Sequence, residues 1–207
     1  MHHFISMMFS LLVIIGLQVS VESAGRRPER SINRHYRSEL TVPNGGIWGS
    51  WGQIEMCPGG TYAAGFSLKV QNPVGRGDDT ALNGIRLHCN NKNKGSSSLS
   101  HDSTVQSDVG SWGEWTEIQW CLSGFLTAFQ LRVQTSQGKG DDTAANNIKF
   151  KCSQGSLEGN GTQWGDWGDW SQTCEGKGIC GIKTQVEAPQ GRGDDAALND
   201  VRMYCCN

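Results

Sequence analysis

Acidic and aromatic side chains recur along this chain in a fixed order, and they are the residues best suited to chemistry. The tripeptide Gly-Asp-Asp occurs three times, with the carboxylates Asp78, Asp79, Asp141, Asp142, Asp194 and Asp195. A tryptophan pair precedes each tripeptide: Trp48/Trp51, Trp112/Trp115 and Trp164/Trp167. Exposed indole rings beside carboxylates are typical of carbohydrate sites, since an indole has an apolar face and a polar edge.

The Gly-Asp-Asp repeats have two interpretations. They could gather carboxylates at one end of the fold to bind a metal or sugar hydroxyls. Alternatively, Gly supplies a positive φ and Asp accepts backbone N–H bonds in a turn. We favour the turn, because binding sites usually break internal symmetry. The integrin tripeptide spelled by Arg76-Gly77-Asp78 and Arg192-Gly193-Asp194 is then part of the turn framework.

The tryptophans also have two interpretations, and we favour packing in the core or over a sheet end to contact with a ligand. Trp170 has no counterpart in the other two repeats. The segment around it therefore forms the candidate ligand site that breaks the symmetry, with Trp164, Asp166, Trp167, Asp169 and Trp170.

Catalysis by carboxylates has weaker support. A retaining glycosidase needs two carboxyl groups about 5–5.5 Å apart, one of them in an apolar setting that raises its pKa. Glu114 lies between two tryptophans, and Asp166 and Asp169 are the other candidates, but nothing pairs Glu114 with a second group. His88 and His101 are the only histidines after residue 40, and no Cys-x-x-Cys occurs, so we expect neither a metal nor a cofactor.

Eight cysteines predict four disulfides and an oxidising compartment. The repeat offsets pair Cys57 with Cys89 and Cys121 with Cys152. By the same offset Cys174 pairs with Cys205, which leaves Cys180 for Cys206. Because Cys205 and Cys206 are adjacent, exchange of these last two partners stays open.

A threefold repeat organises the chain after Thr41, with units at about 42–90, 105–153 and 158–207. Alternating apolar residues flank each Gly-Asp-Asp turn, as in Phe66-Leu68-Val70 and Ile85-Leu87-Cys89. Period two predicts strands with one face in a core. With a further strand from the tryptophan segment, each repeat predicts one sheet of an all-β domain, three sheets packing around a pseudo-threefold axis.

The N-terminus precedes this domain, which we place at 41–207. Residues 1–23 have the apolar run and small-residue cleavage site of a secretory signal peptide, too short for a membrane span. Residues 24–40 are polar and Arg-rich, and we expect a basic flexible arm and candidate propeptide. The formal net charge of −2 combines +2 on the first forty residues with −4 on the rest, which argues against nucleic acid as a partner.

The repeated motifs resemble those of the vitelline membrane outer layer protein 1 family. The residues that carry the resemblance are Asn44–Gly52, Gly65–Val70 and Gly77–Cys89, with their later copies. The resemblance implies a β-prism of three antiparallel Greek-key sheets in a secreted protein of extracellular coats. It also implies a link to lysozyme-like transglycosylation of N-acetylglucosamine oligomers, for which no catalytic residues can be transferred to this chain.

Our leading hypothesis is therefore a secreted, disulfide-stabilised structural or glycan-associated protein of an extracellular coat or secretion. A weak lysozyme-like transglycosylase and a cell-adhesion ligand are the alternatives. Asn160-Gly161-Thr162 is an N-glycosylation sequon, and glycans or glycoproteins are the expected partners. The sequence does not indicate an oligomeric state.

Overall fold

The computed structural model describes residues 34–72, 82–91, 102–134, 145–189 and 198–207, and these residues form strands and loops without a helix. The described residues form fourteen strands. They are β1 Ser38–Leu40, β2 Ser50–Trp51, β3 Glu55–Met56, β4 Tyr62–Val70, β5 Leu82–Asn90, β6 Ser103–Val105, β7 Glu114–Trp115, β8 Gln119–Trp120, β9 Leu126–Val133, β10 Ala145–Cys152, β11 Ser156–Glu158, β12 Asp166–Trp167, β13 Gly178–Val186 and β14 Leu198–Cys206.

The strands form three antiparallel sheets with one shared topology. Sheet I has the order β6-β5-β4-β7, with β8 also paired to β4. Sheet II has the order β11-β10-β9-β12, and sheet III the order β1-β14-β13-β2, with β3 also paired to β13. In sheets I and II the fourth strand in the chain returns to lie beside the first, which is the Greek-key arrangement. The all-β fold class and the three-sheet prism are thus confirmed.

The sheets do not coincide with the sequence repeats, which corrects the expectation of one sheet for each repeat. The hairpin β4–β5 belongs to the first repeat, but β7 and β8 at its edge come from the second. The hairpin β13–β14 of the third repeat is completed by β1, β2 and β3 from the start of the chain. Each sheet therefore needs a neighbouring repeat to complete it, and sheet III joins the two ends of the chain.

The core lies where the inner faces of the three sheets meet. Phe66 of sheet I is 4.7 Å from Phe150 of sheet II between ring centroids, and Phe150 is 6.4 Å from Phe129. Ile182 and Met203 of sheet III join the same buried cluster. Alternation along each strand directs these apolar side chains to one side, as the sequence pattern predicts.

All eight cysteines lie in the described ranges and form four disulfides. The pairs are Cys57–Cys89, Cys121–Cys152, Cys174–Cys205 and Cys180–Cys206. Cys205 packs in the central cluster, whereas Cys206 packs in a second cluster with Tyr62 and Phe125. Adjacent residues of a strand point to opposite faces, and this separates the partners of Cys205 and Cys206.

The basic arm is shorter than the sequence predicted. Ser38–Leu40 is strand β1, in register with β14 from Ser38↔Cys205 to Leu40↔Met203, and Leu40 is buried in the core. The Arg34 guanidinium donates to the carbonyl oxygens of Cys57, Pro58 and Thr61 at 3.1, 3.1 and 2.6 Å. Without β1, strand β14 would form the edge of sheet III with unpaired backbone N–H and C=O groups. Strand β1 supplies their hydrogen-bond partners. Residues 1–33, including the expected signal peptide, lie outside the described residues.

Candidate functional site

Three tryptophan-containing segments lie side by side at one end of the sheets, and we call residues 44–52, 108–116 and 160–168 the tryptophan belt. Each segment pairs with the last residues of a long strand. The register pairs are Ser50↔Val186, Glu114↔Val70 and Asp166↔Val133. Along the chain, these strand ends precede the three Gly-Asp-Asp segments, which lie outside the described residues.

The asparagine of each repeated motif fixes the belt to the sheets. Asn83, Asn146 and Asn199 are fully buried and lie at β-bulges, where one strand has an extra residue. Their carbonyl oxygens accept backbone bonds of 2.6–2.9 Å from Gly110, Thr162 and Gly46 respectively. The Asn146 side chain also accepts from the Thr162 hydroxyl at 2.8 Å. This part of the motif therefore has a structural role.

The glycine after the first tryptophan of each pair permits close approach to the strand. Gly49, Gly113 and Gly165 have φ of +83°, +83° and +71°. A Cβ on any of them would lie 2.2–2.4 Å from the carbonyl oxygen of the paired valine. A side chain is excluded by both conformation and space, so Trp-Gly is a requirement of the backbone path.

The first tryptophan of each pair lies exposed on the belt, at one end of the sheets, whereas the sequence favoured packing in the core or over a sheet end. Trp48, Trp112 and Trp164 have exposed fractions of 60, 51 and 37%. None of the eight tryptophans, all of which the structure describes, belongs to either buried cluster. Three indole rings with accessible faces thus surround one end of the molecule.

The second tryptophan of each pair covers the outer face of a sheet beneath a cation. The Arg86 guanidinium lies 3.8 Å from the Trp115 ring centroid. Arg202 lies 4.5 Å from Trp51, and the Lys149 ammonium lies 4.1 Å from Trp167. The three cations occupy equivalent positions in the repeats. Because cation and ring satisfy each other, these tryptophans are less suited to a ligand than the first of each pair.

The candidate ligand site at Trp164–Trp170 is divided between two surfaces. Trp164 lies on the belt, whereas Trp167 and Trp170 follow the outer edge of β9. The Lys151 ammonium lies 4.8 Å from the Trp170 ring centroid. Asp166 and Asp169 are exposed. The segment runs as an extended edge and does not gather its three indoles around one ligand.

The candidate catalytic carboxylates Glu114, Asp166 and Asp169 are all exposed. Glu114 is exposed on β7 of sheet I, and Asp166 is exposed on β12 of sheet II. The apolar setting expected for Glu114 between two tryptophans is absent, because Trp112 and Trp115 lie on different surfaces. The six Gly-Asp-Asp carboxylates Asp78, Asp79, Asp141, Asp142, Asp194 and Asp195 lie outside the described residues, as do both integrin tripeptides.

His88 packs within sheet I and has a structural role there. Its Nε2 lies 3.0 Å from the Ser67 hydroxyl, and its ring contacts the Trp120 ring edge-on at a centroid distance of 5.6 Å. Burial lowers the pKa of His88, Arg86 lowers it further, and Asp102 opposes both. Ser67 and His88 are both buried, so a substrate could not reach the pair. Within the described ranges, no cluster of three His, Cys, Asp or Glu side chains could hold a metal ion.

The belt also contains an open cleft that the sequence did not reveal. It lies between sheets I and III and has a volume of about 440 Å³. Its walls come from three separate stretches, namely 49–50, 108–111 and 186–189. Ser50, Asp108 and Ser111 are among the wall residues, and the Asp108 side chain packs over Gly52. The three stretches are far apart in the sequence and meet only because the sheets pack together. No local motif could therefore have identified them.

Comparison with known proteins places this chain among described relatives. The family model for vitelline membrane outer layer protein I matches residues 38–207. The human vitelline membrane outer layer protein 1 homolog is 53% identical over 174 residues, which cover 83% of this chain and 84% of the human protein. The mouse homolog is 51% identical over 178 residues, covering 84% and 86%.

Solved structures with the same fold are lectins of low sequence identity. The Calystegia sepium agglutinin matches with a TM-score of 0.50 at 12% identity, over 83% of this chain and 97% of the agglutinin. The Calsepa lectin in complex with a bisected glycan matches with a TM-score of 0.51 at 11% identity, over 84% and 99%. These likenesses show the β-prism fold. No helix among the described residues is long and apolar enough to cross a membrane.

Proposed function

The chain belongs to the vitelline membrane outer layer protein I family, and from that premise we propose that it is a secreted, glycan-binding structural protein of an extracellular coat or secretion. The observation that carries the glycan-binding proposal is the tryptophan belt. Trp48, Trp112 and Trp164 expose apolar ring faces at one end of a rigid scaffold. Several exposed indoles at one end of a fold give an apolar surface with polar edges, which suits contact with a sugar ring. The Calsepa lectin in complex with a bisected glycan is an example of a β-prism that presents a sugar site.

The extracellular part of the proposal depends on the cysteines. Three disulfides join neighbouring sheets, the fourth joins two strands of sheet III, and no free cysteine remains. Disulfides persist in oxidising compartments and are rare in the cytosol. Together with the apolar segment at residues 1–23, they support secretion. Expression of the full chain in cultured animal cells should place the protein in the medium, and retention inside the cell would contradict this proposal.

A glycan array tests the binding proposal directly. Purified, oxidised protein should bind a subset of neutral glycans, and simultaneous Trp48→Ala, Trp112→Ala and Trp164→Ala substitution should abolish that binding. A matched control is Leu122→Ala with Ile118→Ala, which removes exposed apolar side chains away from the belt. If the wild-type protein binds no glycan, or if the triple variant binds as well as the control, the belt has no such role.

The sequon at Asn160 supports a further proposal, that the chain is itself a glycoprotein. Asn160 is exposed, and its Oδ1 accepts a bond from the Gln119 amide at 3.3 Å. Glycosidase treatment of the secreted protein should reduce its mass, and Asn160→Gln should remove that change. We do not advance the transglycosylase alternative, because the described candidates Glu114, Asp166 and Asp169 are all exposed and Glu114 lies on a different sheet from Asp166.

A further inference from the structure

We propose that residues 34–90, the first repeat together with strand β1, exchange between two copies of this chain during folding and so form an intertwined dimer. We call these residues the first unit. In a single molecule the first unit completes sheets I and III of its own chain. In the dimer it completes the same sheets of a second copy, and every strand pair of the single molecule is kept. The partner is therefore this chain itself, and the proposal is independent of glycan binding.

The first unit has no covalent bond to the third repeat. The two meet at the closure of sheet III, where β1, β2 and β3 pair with β13 and β14. All eight cysteines lie in the described ranges, and each disulfide joins two cysteines of the same repeat. Cys57–Cys89 is internal to the first unit and moves with it. The closure can therefore open and re-form without breaking a covalent bond.

The connection that follows the first unit is long enough to reach a second copy. Residues 91–102 separate β5 from β6, and a connection of twelve residues can span about 40 Å. At the equivalent place after the second repeat, only residues 153–155 separate β10 from β11, which pair with each other. A connection of that length holds two strands side by side. The first unit can therefore exchange, whereas the second and third repeats stay together.

The contacts at the closure are the same in the dimer as in the single molecule. Leu40 lies opposite Met203 and is buried in the core, and Arg202 pairs with Glu39 at 3.0 Å. Since exchange keeps these contacts, it loses only the advantage of having both parts in one chain. A short connection gives that advantage an effective concentration on the order of millimolar. We therefore expect the monomer in dilute solution and the dimer near millimolar concentration.

Two disulfides hold each side of the closure in shape while the other side is absent. Cys180 in β13 is bonded to Cys206 in β14, so this hairpin of sheet III stays together without β1, β2 and β3. Cys57, directly after β3, is bonded to Cys89 in β5, which fixes the base of the N-terminal strands to the first unit. Two surfaces that are already formed lose less conformational entropy when they meet.

Charge reversal at the closure distinguishes exchange from other forms of association. Glu39→Arg and Arg202→Glu each bring like charges together in a single molecule. In an exchanged dimer of one variant with the other, both closures regain a pair of opposite charges. The matched control is Lys149→Glu mixed with Glu158→Lys, because this ion pair of 3.1 Å lies within the β10–β11 hairpin and cannot exchange.

The proteins should be unfolded in denaturant with their disulfides intact and refolded at about 1 mM and at about 1 µM, with dimers identified by native mass spectrometry. Wild type should form dimers at the higher concentration and monomers at the lower. In the mixture of Glu39→Arg with Arg202→Glu, heterodimers should exceed all homodimers by about fivefold or more. Random mixing makes the two equal, and the control mixture should show no excess. The chain with both changes should refold like the wild type.

Three results would overturn the proposal. The first is that wild type refolded at about 1 mM gives no dimer. The second is that the closure variants form heterodimers and homodimers in equal amounts, because association would then not use the closure. The third is an equal excess of heterodimer in the control mixture, because attraction between oppositely charged surfaces would then explain it. None of these results bears on glycan binding, which the array tests separately.

Discussion

Sheets I and III have the same Greek-key order but are assembled from different parts of the chain. Sheet I uses residues 62–120, which follow one another along the chain. Sheet III joins β1–β3 near the start of the described chain to β13 and β14 at its end. The ion pair between Arg202 and Glu39, 3.0 Å apart, spans this closure. The comparison shows that one strand order can be reached by local or by very distant pairing.

The disulfides reflect this difference. In each of three disulfides, one cysteine follows an edge strand of one sheet and its partner lies in a long strand of the neighbouring sheet. Cys57, for example, follows β3 of sheet III, and its partner Cys89 lies in β5 of sheet I. Cys180–Cys206 alone joins two strands of the same sheet, and that sheet is sheet III. Closing a loop over nearly the whole chain costs more entropy than closing a short one, although the cost rises slowly with length. The additional disulfide stabilises the sheet that depends on this closure.

The largest expected effect comes from removing that additional disulfide. Cys180→Ala with Cys206→Ala opens a loop of 26 residues and should lower the free energy of unfolding by about 3 kcal/mol. Urea unfolding followed by tryptophan fluorescence measures the loss. Hydrogen exchange should show that β14 and β1 lose protection before β5.

Cys121→Ala with Cys152→Ala is the matched control, because its sequence separation of 31 predicts a similar loss. In this variant the early loss of protection should occur in sheets I and II. If both variants loosen all three sheets alike, the disulfides do not act on individual sheets as we propose.

Removing apolar contact from β1 should have the next largest effect. Leu40 is buried against the core, and Leu40→Ala should destabilise the protein by about 2–3 kcal/mol through lost burial and a cavity. Val105→Ala, the equivalent change in β6 of sheet I, removes fewer atoms and should cost about 1 kcal/mol less. Chemical denaturation of both variants gives the comparison. Equal stability of Leu40→Ala and wild type would restore the interpretation of residues 24–40 as a flexible arm.

Asp200 should give sheet III a pH-dependent stability that sheet II does not share. It occupies the position of Asn147, whose amide donates to the Gly159 carbonyl at 2.8 Å, and both side chains accept from the next backbone N–H at 2.8 Å. Burial raises the pKa of Asp200 to about 6 against the opposing effects of the Val201 N–H and Arg202. The folded protein therefore favours the protonated acid, which contributes stability at low pH that is lost as the pH rises through about 6.

Asp200→Asn should remove this loss. The variant and the wild type should be equally stable near pH 4, and the variant should be more stable at pH 7 by on the order of 1 kcal/mol, since the carboxyl is partly solvated. Denaturant unfolding across this pH range measures the difference. A variant less stable than wild type at pH 7 would show that the carboxylate itself is favourable there.

The smallest effect is expected from the cation–aromatic pairs on the outer faces. Arg86→Ala should destabilise sheet I by about 0.5–1 kcal/mol through loss of the contact with Trp115. Arg202→Ala in sheet III should cost slightly more, because Arg202 also pairs with Glu39. A double-mutant cycle with Trp115→Phe isolates the first contact. A coupling energy of zero would mean that the pair is only in proximity.

Much of this fold could be predicted from the sequence because it is repeated. Alternation around Phe66 and Ile85 identifies the hairpin strands, and the repeat offsets favour the disulfide pairs that the structure contains. For the tryptophans the sequence favoured the core or a sheet end, and there is a physical reason why none of them lies in the core. Their apolar character predicts burial, but the core is already filled by Phe66, Phe129 and Phe150, so the indoles lie on the belt and on the outer faces.

The sequence by itself determined the number of sheets, the inner faces of their strands and the oxidised state of the cysteines, since periodicity and cysteine spacing are local properties of a chain. Only the tertiary structure decided which repeats share a sheet, how Ser38–Leu40 completes sheet III, and which distant residues line the cleft between sheets I and III. Those outcomes depend on contacts between residues such as Ser50, Asp108 and Val186 that are far apart in sequence. Their meeting is a consequence of three-dimensional closure, and no local pattern encodes it.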